Sequence, residues 1–331
     1  MFPLLVHLAL SAPAWAADPL SVEIGGEVFA HYGVDLTTGS DAYNEFALDR
    51  SRLTVGATLA PHLATLISVD ADRLAVSSTG IAPDTKLRLY VRDAWLGVNN
   101  LPASTEIRVG MIDTPFTSYS EDIVGDRFIT PSFGEQIGWL HPADLGIGVL
   151  GHTSDRLLDW NAVVVNGEGY DHVELDAGKT GQARVTIDPW GAHHNVKIPL
   201  SFFGSYATDP GAPIAIFGAG LGYQSKLGTA WYEFLGRTTN GTTQLGYCGT
   251  DLFGTHPIGY LMLRWGHTYL DLADKDAIEN RLTAGVLKEF GRSLERPAGV
   301  VTASLTWEAM WTGGPLVNPT HGVYLRSQAT F

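Results

Sequence analysis

The sequence feature that most limits the possible folds is a strict two-residue alternation near the C-terminus. From Val301 to Trp311 every odd position is apolar, whereas the even positions carry Thr, Ser, Glu and, at the end, Met310. Successive side chains of a β-strand point to opposite faces, so this segment predicts a strand with one apolar and one polar face. A turn cluster covers Thr312 to Thr320, and the alternation then returns from Val323 to Phe331. Together the two segments predict a long antiparallel hairpin.

This hairpin fits two classes of protein. It resembles the closing hairpin of a bacterial outer-membrane β-barrel, in which the terminal residue is aromatic. It fits equally well a half-buried hairpin in a soluble β-sandwich. The rest of the chain must decide between them.

The same alternation recurs along the chain and predicts sixteen strands in all, the last two forming the hairpin. The first three run from Val22 to Val34, from Phe46 to Leu59 and from Leu63 to Arg73. The next eleven are predicted at 87–98, 105–111, 144–153, 157–166, 176–187, 197–206, 214–225, 228–236, 243–253, 259–270 and 278–290. Alternation is weak around 214–222 and in 243–253. An even count is what a single-chain membrane barrel requires, so the expected fold is an all-β, transmembrane antiparallel barrel.

The lengths of the connections support this prediction. The first, third and fifth connections are long or polar, at 35–45, 76–86 and 113–143, and the second, fourth and sixth are short, at 60–62, 99–104 and 154–156. Membrane barrels carry short turns on one rim and long loops on the other. At Arg92-Asp93 two consecutive charges break the alternation, which predicts a β-bulge because one charge would otherwise face lipid.

Composition narrows the class further. The chain has 38 Gly, 9 Trp, 12 Tyr and 13 Phe, and glycine and aromatic residues are typical of barrel strands and of their interfacial girdles. Cys248 is the one cysteine, so no intrachain disulfide can form. The net charge of −14 argues against a nucleic-acid partner, since such a partner needs a basic surface.

The N-terminus predicts export. An apolar run from Leu4 to Leu10 precedes Ala14-Trp15-Ala16, which has the small-x-small pattern of a signal-peptide cleavage site. The sequence therefore predicts a signal peptide at 1–16 and a barrel at 17–331.

Several segments together resemble the phosphate-selective porin O and P family of outer-membrane porins. They are FALDRSRLTVGATLAPHLATLISVDAD (46–72), VRDAWLGV (91–98), IRVGMIDTPF (107–116), DLGIGVLG (144–151), WNAVVVNGEG (160–169) and YLRSQATF (324–331). The resemblance implies a trimeric, water-filled, sixteen-stranded barrel in the bacterial outer membrane. It also implies that the loop after the fifth strand, here 113–143, folds inward as a constriction.

Two sets of charged residues are the candidate pore site. The predicted pore-lining residues lie on the polar faces of early strands: Arg50, Arg52, Asp70, Asp72, Arg88, Arg92, Glu106 and Arg108. The predicted constriction loop carries Glu121, Asp122, Asp126, Arg127 and Glu135. Basic residues facing acidic ones would set up a transverse field that selects solutes weakly, unless the arginines only form structural ion pairs on the wall. The six lysines are scattered and the loop is acidic, so phosphate selectivity is not expected.

The chain shows no nucleophile-elbow, zinc-protease or phosphate-loop motif, so we expect no catalytic site, no metal and no cofactor. His193-His194 would point to opposite faces of a strand and could not chelate one ion. The predicted function is passive diffusion of small hydrophilic solutes or ions through a homotrimer surrounded by outer-membrane lipid. The alternatives are a soluble exported β-rich binding protein or glycosidase, and an outer-membrane barrel hydrolase.

Overall fold

A computed structural model describes residues 21–37, 44–73, 87–172, 174, 177–190, 196–208, 212–255, 258–274, 276–290, 300–313 and 319–331. The predicted signal peptide at 1–16, the third connection at 76–86 and His193-His194 lie outside these residues. In the described part of the chain, sixteen antiparallel strands close into one barrel, with each strand hydrogen-bonded to its neighbours in sequence and the first strand to the last.

The strands are β1 (Ser21–Asp35), β2 (Asn44–Ala60), β3 (Leu63–Arg73), β4 (Leu87–Leu101), β5 (Thr105–Asp113), β6 (Ala143–His152), β7 (Leu158–Val165), β8 (Thr180–Ile187), β9 (Leu200–Ala207), β10 (Ile214–Ser225), β11 (Gly228–Thr239), β12 (Thr242–Thr255), β13 (Gly259–Tyr269), β14 (Ile278–Phe290), β15 (Val300–Thr312) and β16 (Thr320–Thr330). Two short helices, α1 (Thr117–Val124) and α2 (Phe133–Gln136), lie between β5 and β6, and a 3-10 turn, Pro102–Ser104, joins β4 to β5. No helix in the described ranges is long and apolar enough to cross a membrane. The predicted all-β barrel of sixteen strands is confirmed.

The outer face of the barrel is apolar, and the inner face is polar except where it contacts the connection between β5 and β6. Leu53, Ile147 and Leu305 are 50 to 52% exposed on the outside, whereas Asp70 and Thr306 inside are 1% exposed. A soluble sandwich would bury its apolar faces and expose its polar ones. The membrane barrel is therefore favoured over the soluble β-rich alternative, because a closed barrel with an apolar exterior is the form that spans a membrane.

The irregularity at Arg92-Asp93 is a β-bulge, as its sequence predicts. In the β3–β4 ladder Ser68 pairs with Asp93 and Val69 pairs with Val91, which leaves Arg92 as the extra residue. The extra residue places both charged side chains inside the barrel, where they are 7% and 4% exposed. The bulge thus keeps two consecutive charges away from lipid.

The two rims differ in their connections. One rim, called here the turn rim, holds the start of β1, the end of β16 and the short turns at 61–62, 153–157 and 226–227. The other, called the loop rim, holds the longer connections at 114–142 and 166–179. This difference in connection length does not hold around the whole barrel. The two-residue turn at 240–241 is on the loop rim, and the twelve-residue connection at 188–199 is on the turn rim.

Candidate pore site

The connection between β5 and β6, residues 114–142, folds into the lumen and is called here the inward loop. On one side its Phe116, Ile123, Val124, Phe133, Trp139 and Leu140 pack against Phe203, Ile216, Trp231, Leu235 and Cys248 on the inner faces of β9 to β12. On the other side Phe128 and Ile129 pack against Phe29, Met262 and Leu287. The loop therefore spans the lumen and is held by apolar contacts on both sides.

Phe133 is seated where the barrel wall lacks side chains. A Cβ atom added at Gly246 would lie 2.8 Å from its ring, and one added at Gly266 would lie 3.2 Å from it. Phe133 itself is 1% exposed. These two wall glycines form a socket for the ring, because any larger residue would occupy its place.

Three long side chains of the wall also donate hydrogen bonds to backbone carbonyls of the loop. Arg264 Nη2 donates to Pro131 O at 2.8 Å, and its Nη1 lies 3.7 Å from Asp126 Oδ2. Arg184 Nε donates to Pro115 O at 2.8 Å. Gln224 Nε2 donates to Ile123 O at 3.1 Å. These side chains therefore supply donors to three backbone carbonyls of the loop and help to hold the loop against the wall.

The structure brings Arg50, Arg52 and Asp70 together on the inner face of β2 and β3. Arg52 Nε lies 2.5 Å and Arg50 Nε 3.3 Å from the Asp70 carboxylate. Glu27 on β1 adds a second carboxylate, 3.0 Å from Arg52 Nη1. These arginines are therefore ion-paired on the wall.

Arg92 and Arg108 converge on Asp113 at the end of β5. Arg92 Nη1 lies 3.0 Å from Asp113 and 2.9 Å from Asp93. Arg108 Nε lies 2.8 Å from Glu106, and its Nη1 lies 3.9 Å from Asp113.

Two other predicted pore-lining residues lie apart from these clusters. Asp72 and Arg88 are backbone partners at the loop-rim ends of β3 and β4. The Asp72 side chain lies outside the described part of the structure, and Arg88 is exposed.

The sequence of the inward loop is acidic, but some of its acidic side chains are neutralised by ion pairs within the loop. Arg127 contacts both Glu121 and Glu135, donating to Glu135 Oε1 at 2.7 Å. Burial raises the pKa of Glu121 against the opposing pull of Arg127, Arg92 and Arg50. For Glu135 burial again acts to raise the pKa, but the hydrogen bond from Arg127 and the charges of Arg127, Arg50 and Arg92 together outweigh it and lower the pKa.

The other two acidic residues of the loop differ in environment. Asp126 is 4% exposed, and burial raises its pKa in spite of nearby Arg264. Asp122 is exposed to the lumen, where enclosure by the barrel and then the charge of Asp113 raise its pKa. Asp122 has no ion-pair partner among the described residues.

A polar cavity of about 530 Å³ separates the inward loop from the wall formed by β5 to β8. Charged and polar groups on both sides line it, among them Arg108, Asp113, Asp122, Asn161 and Arg184. Its volume lies within the range of small-molecule sites, roughly 300–1,000 Å³. Water and small solutes therefore have a polar space beside the loop.

Arg184 lines the cavity and is not among the predicted pore-lining residues. Its guanidinium donates to Asp159 at 2.5 Å and lies 3.9 Å from the ring centroid of Tyr119 on the loop. Alternation in β8, where Arg184 and Thr186 share one face and Val185 lies on the other, was a usable signal for it.

Searches of known proteins give matches in structure alone. No protein-family model and no curated protein sequence matches the chain. An anion-selective porin from Comamonas acidovorans matches with a TM-score of 0.66 and 13% identity over 94% of this chain and 100% of that one. OprB of Pseudomonas putida matches with a TM-score of 0.64 and 9% identity over 94% of each chain. The outer membrane channel DcaP of Acinetobacter baumannii matches with a TM-score of 0.61 and 9% identity over 94% and 97%.

Identities this low establish the fold alone. The closed, sixteen-stranded antiparallel barrel agrees with these matches. This chain has the fold of the bacterial outer-membrane porins.

Proposed function

We propose that this protein is a porin of the bacterial outer membrane, through which small hydrophilic solutes or ions diffuse passively. The observation that carries the proposal is the polar cavity beside the inward loop, inside a barrel whose exterior is apolar. Outer-membrane lipid contacts the exterior, and the polar inner face surrounds water. The resemblance to porins supports a homotrimer, which light scattering in detergent would test as a threefold protomer mass.

Selectivity follows from the paired charges on the wall and the loop. Arg50, Arg52, Arg92 and Arg108 face a loop with Glu121, Asp122 and Glu135, but most of these charges are in ion pairs. Paired charges give a transverse field with little net charge, so the channel selects weakly between cations and anions.

We also propose that the protein belongs to the phosphate-selective porin O and P family. The strand segments that resemble this family and the inward fold of the loop after β5 support this assignment. Phosphate selectivity itself is not proposed, because Arg50, Arg52, Arg92 and Arg108 are paired and no cluster of lysines faces them in the described residues.

Single-channel recording in a planar bilayer tests the proposal. Folded protein purified in detergent should give discrete conductance steps, and a salt gradient should give a small reversal potential. Absence of steps from protein that keeps its folded mobility on unheated gels would refute the channel function. A reversal potential near the Nernst limit would refute weak selectivity.

A further inference from the structure

The cavity beside the inward loop has two chemically different ends. Toward the turn rim it is lined by Arg156, in the β6–β7 turn, and by Lys197, whose backbone bridges to Gln224. Toward the loop it is lined by Asp122 on α1. Groups of both signs therefore line the cavity, the positive ones on the wall near the turn rim and the negative one on the inward loop.

The other charged groups that line the cavity already have partners. Arg184 is paired with Asp159 at 2.5 Å, and Arg108 with Glu106 at 2.8 Å. Asp188 accepts hydrogen bonds from the backbone N–H groups of Trp190 and Ile198 at 3.2 and 3.4 Å. A ligand that displaced these contacts would leave charged groups without partners, which is unfavourable.

Four groups remain available. Arg156 and Lys197 have no ion-pair partner within the described ranges, and neither does Asp122. Asn161 on β7 adds a side-chain carbonyl, Oδ1, that is buried and accepts no hydrogen bond in the described structure. The available set is thus two cationic donors near the turn rim, a carboxylate on the inward loop and an amide oxygen on β7.

We infer that this cavity binds a zwitterion the size of an α-amino acid, an assignment that rests on the proposed channel function. The ligand carboxylate lies against Arg156 and Lys197, which form charge-assisted hydrogen bonds with it. The ligand ammonium has three N–H donors and lies against the Asp122 carboxylate and Asn161 Oδ1. A solute with one charge, or with none, can satisfy one end of the cavity at most.

The first test compares probes on the unaltered channel. L-Alanine, sodium propionate and isopropylammonium chloride are added to single channels in a planar bilayer, and the concentration that gives half-maximal current block is measured. L-Alanine should reach half-maximal block at a concentration about tenfold lower than either singly charged probe, since one charge-assisted contact is worth about this factor in a wet site. Equal concentrations for all three probes would overturn the inference.

The second test uses variants with a matched control. Lys197→Gln and Asp122→Asn should each raise the half-blocking concentration of L-alanine about tenfold. Lys226→Gln, on the same rim but outside the cavity lining, should leave it unchanged. An unchanged value in Asp122→Asn, in protein with folded mobility, would also overturn the inference.

These outcomes separate the two proposals. No conductance steps from the unaltered protein would refute the channel function itself. Steps with normal conductance, but with no preference for L-alanine over propionate, would refute the zwitterion site alone.

Discussion

Replacing Phe133 with alanine tests whether apolar packing holds the inward loop in the lumen. The ring is 1% exposed and is seated against Gly246 and Gly266 of the wall. Truncation leaves a void at this position, because the glycines have no side chains with which to fill it.

The size of the effect follows from this burial. A buried Phe→Ala change costs about 3–5 kcal/mol. Each 1.4 kcal/mol is a factor of ten, so the undocked state of the loop should become roughly 10² to 10³ times more populated. Phe133→Leu keeps most of the apolar volume and should cost under about 1.5 kcal/mol, which is at most about tenfold.

The chain carries its own reporter for the equilibrium between the docked and undocked states of the inward loop. Cys248 is the one cysteine in the sequence, lies on the inner face of β12 and is 3% exposed in the same apolar cluster as Phe133. A small water-soluble methanethiosulfonate reagent can reach its thiol only when the loop leaves the wall. The labelling rate therefore follows the undocked population, provided that redocking is faster than labelling.

The expected result is labelling of Phe133→Ala some 10² to 10³ times faster than unaltered protein, with Phe133→Leu within about tenfold of the unaltered rate. The barrel itself should keep its folded mobility on unheated gels. If Cys248 in Phe133→Ala is labelled as slowly as in the unaltered chain, the packing explanation of loop docking is wrong.

Three further predictions concern the loop, the lipid face and the lumen. Arg264→Met leaves the buried Asp126 carboxylate without its cation, at a cost of about 3–5 kcal/mol to loop docking, and should accelerate labelling in the same assay. This acceleration should shrink as the pH falls, because burial raises the pKa of Asp126 and its neutral form needs no cation. Leu305→Arg on the outer face should destabilise the barrel by about 2–4 kcal/mol in urea titrations in vesicles, whereas lumen-facing Thr302→Arg should not. Enclosure raises the pKa of Asp122, so cation preference, read as reversal potential, should decline on acidification at a pH above the ordinary carboxylate range. Asp122→Asn should remove this pH dependence. If the reversal potential of the variant still changes with pH in the same way, Asp122 is not the group responsible.

Strand positions were predictable wherever one face meets lipid and the other meets water. The strand predicted at Val301 to Trp311 is β15, Val300–Thr312. Alternation weakened in β10 and β12, and the structure gives the reason. Their inner faces carry Ile216 and Cys248, which contact the inward loop and not water. A rule that assumes a wet interior fails where a loop fills it.

Charge pairing was predictable only where strand register decides it. Arg52 and Asp70 were predicted to share the polar face of adjacent strands, and they are paired partners in the β2–β3 ladder. Arg127 is paired with Glu121 and Glu135, and this pairing depends on how the loop folds on itself. No periodicity in the sequence encodes that fold. Sequence therefore located the inner-face charges but not the neutralisation within the loop.

The seam between β1 and β16 has a consequence for biogenesis. Gly26 and Phe331 exchange two backbone hydrogen bonds of 3.0 Å, and they are about 300 residues apart in sequence. Every other ladder joins strands adjacent in the chain. Loop-closure entropy makes the seam about 2–3 kcal/mol costlier to initiate than a hairpin of some twenty residues. We therefore expect amide exchange at these two residues to slow last during refolding, after that of the β10–β11 ladder, and until then two unpaired edges must be kept from joining other chains.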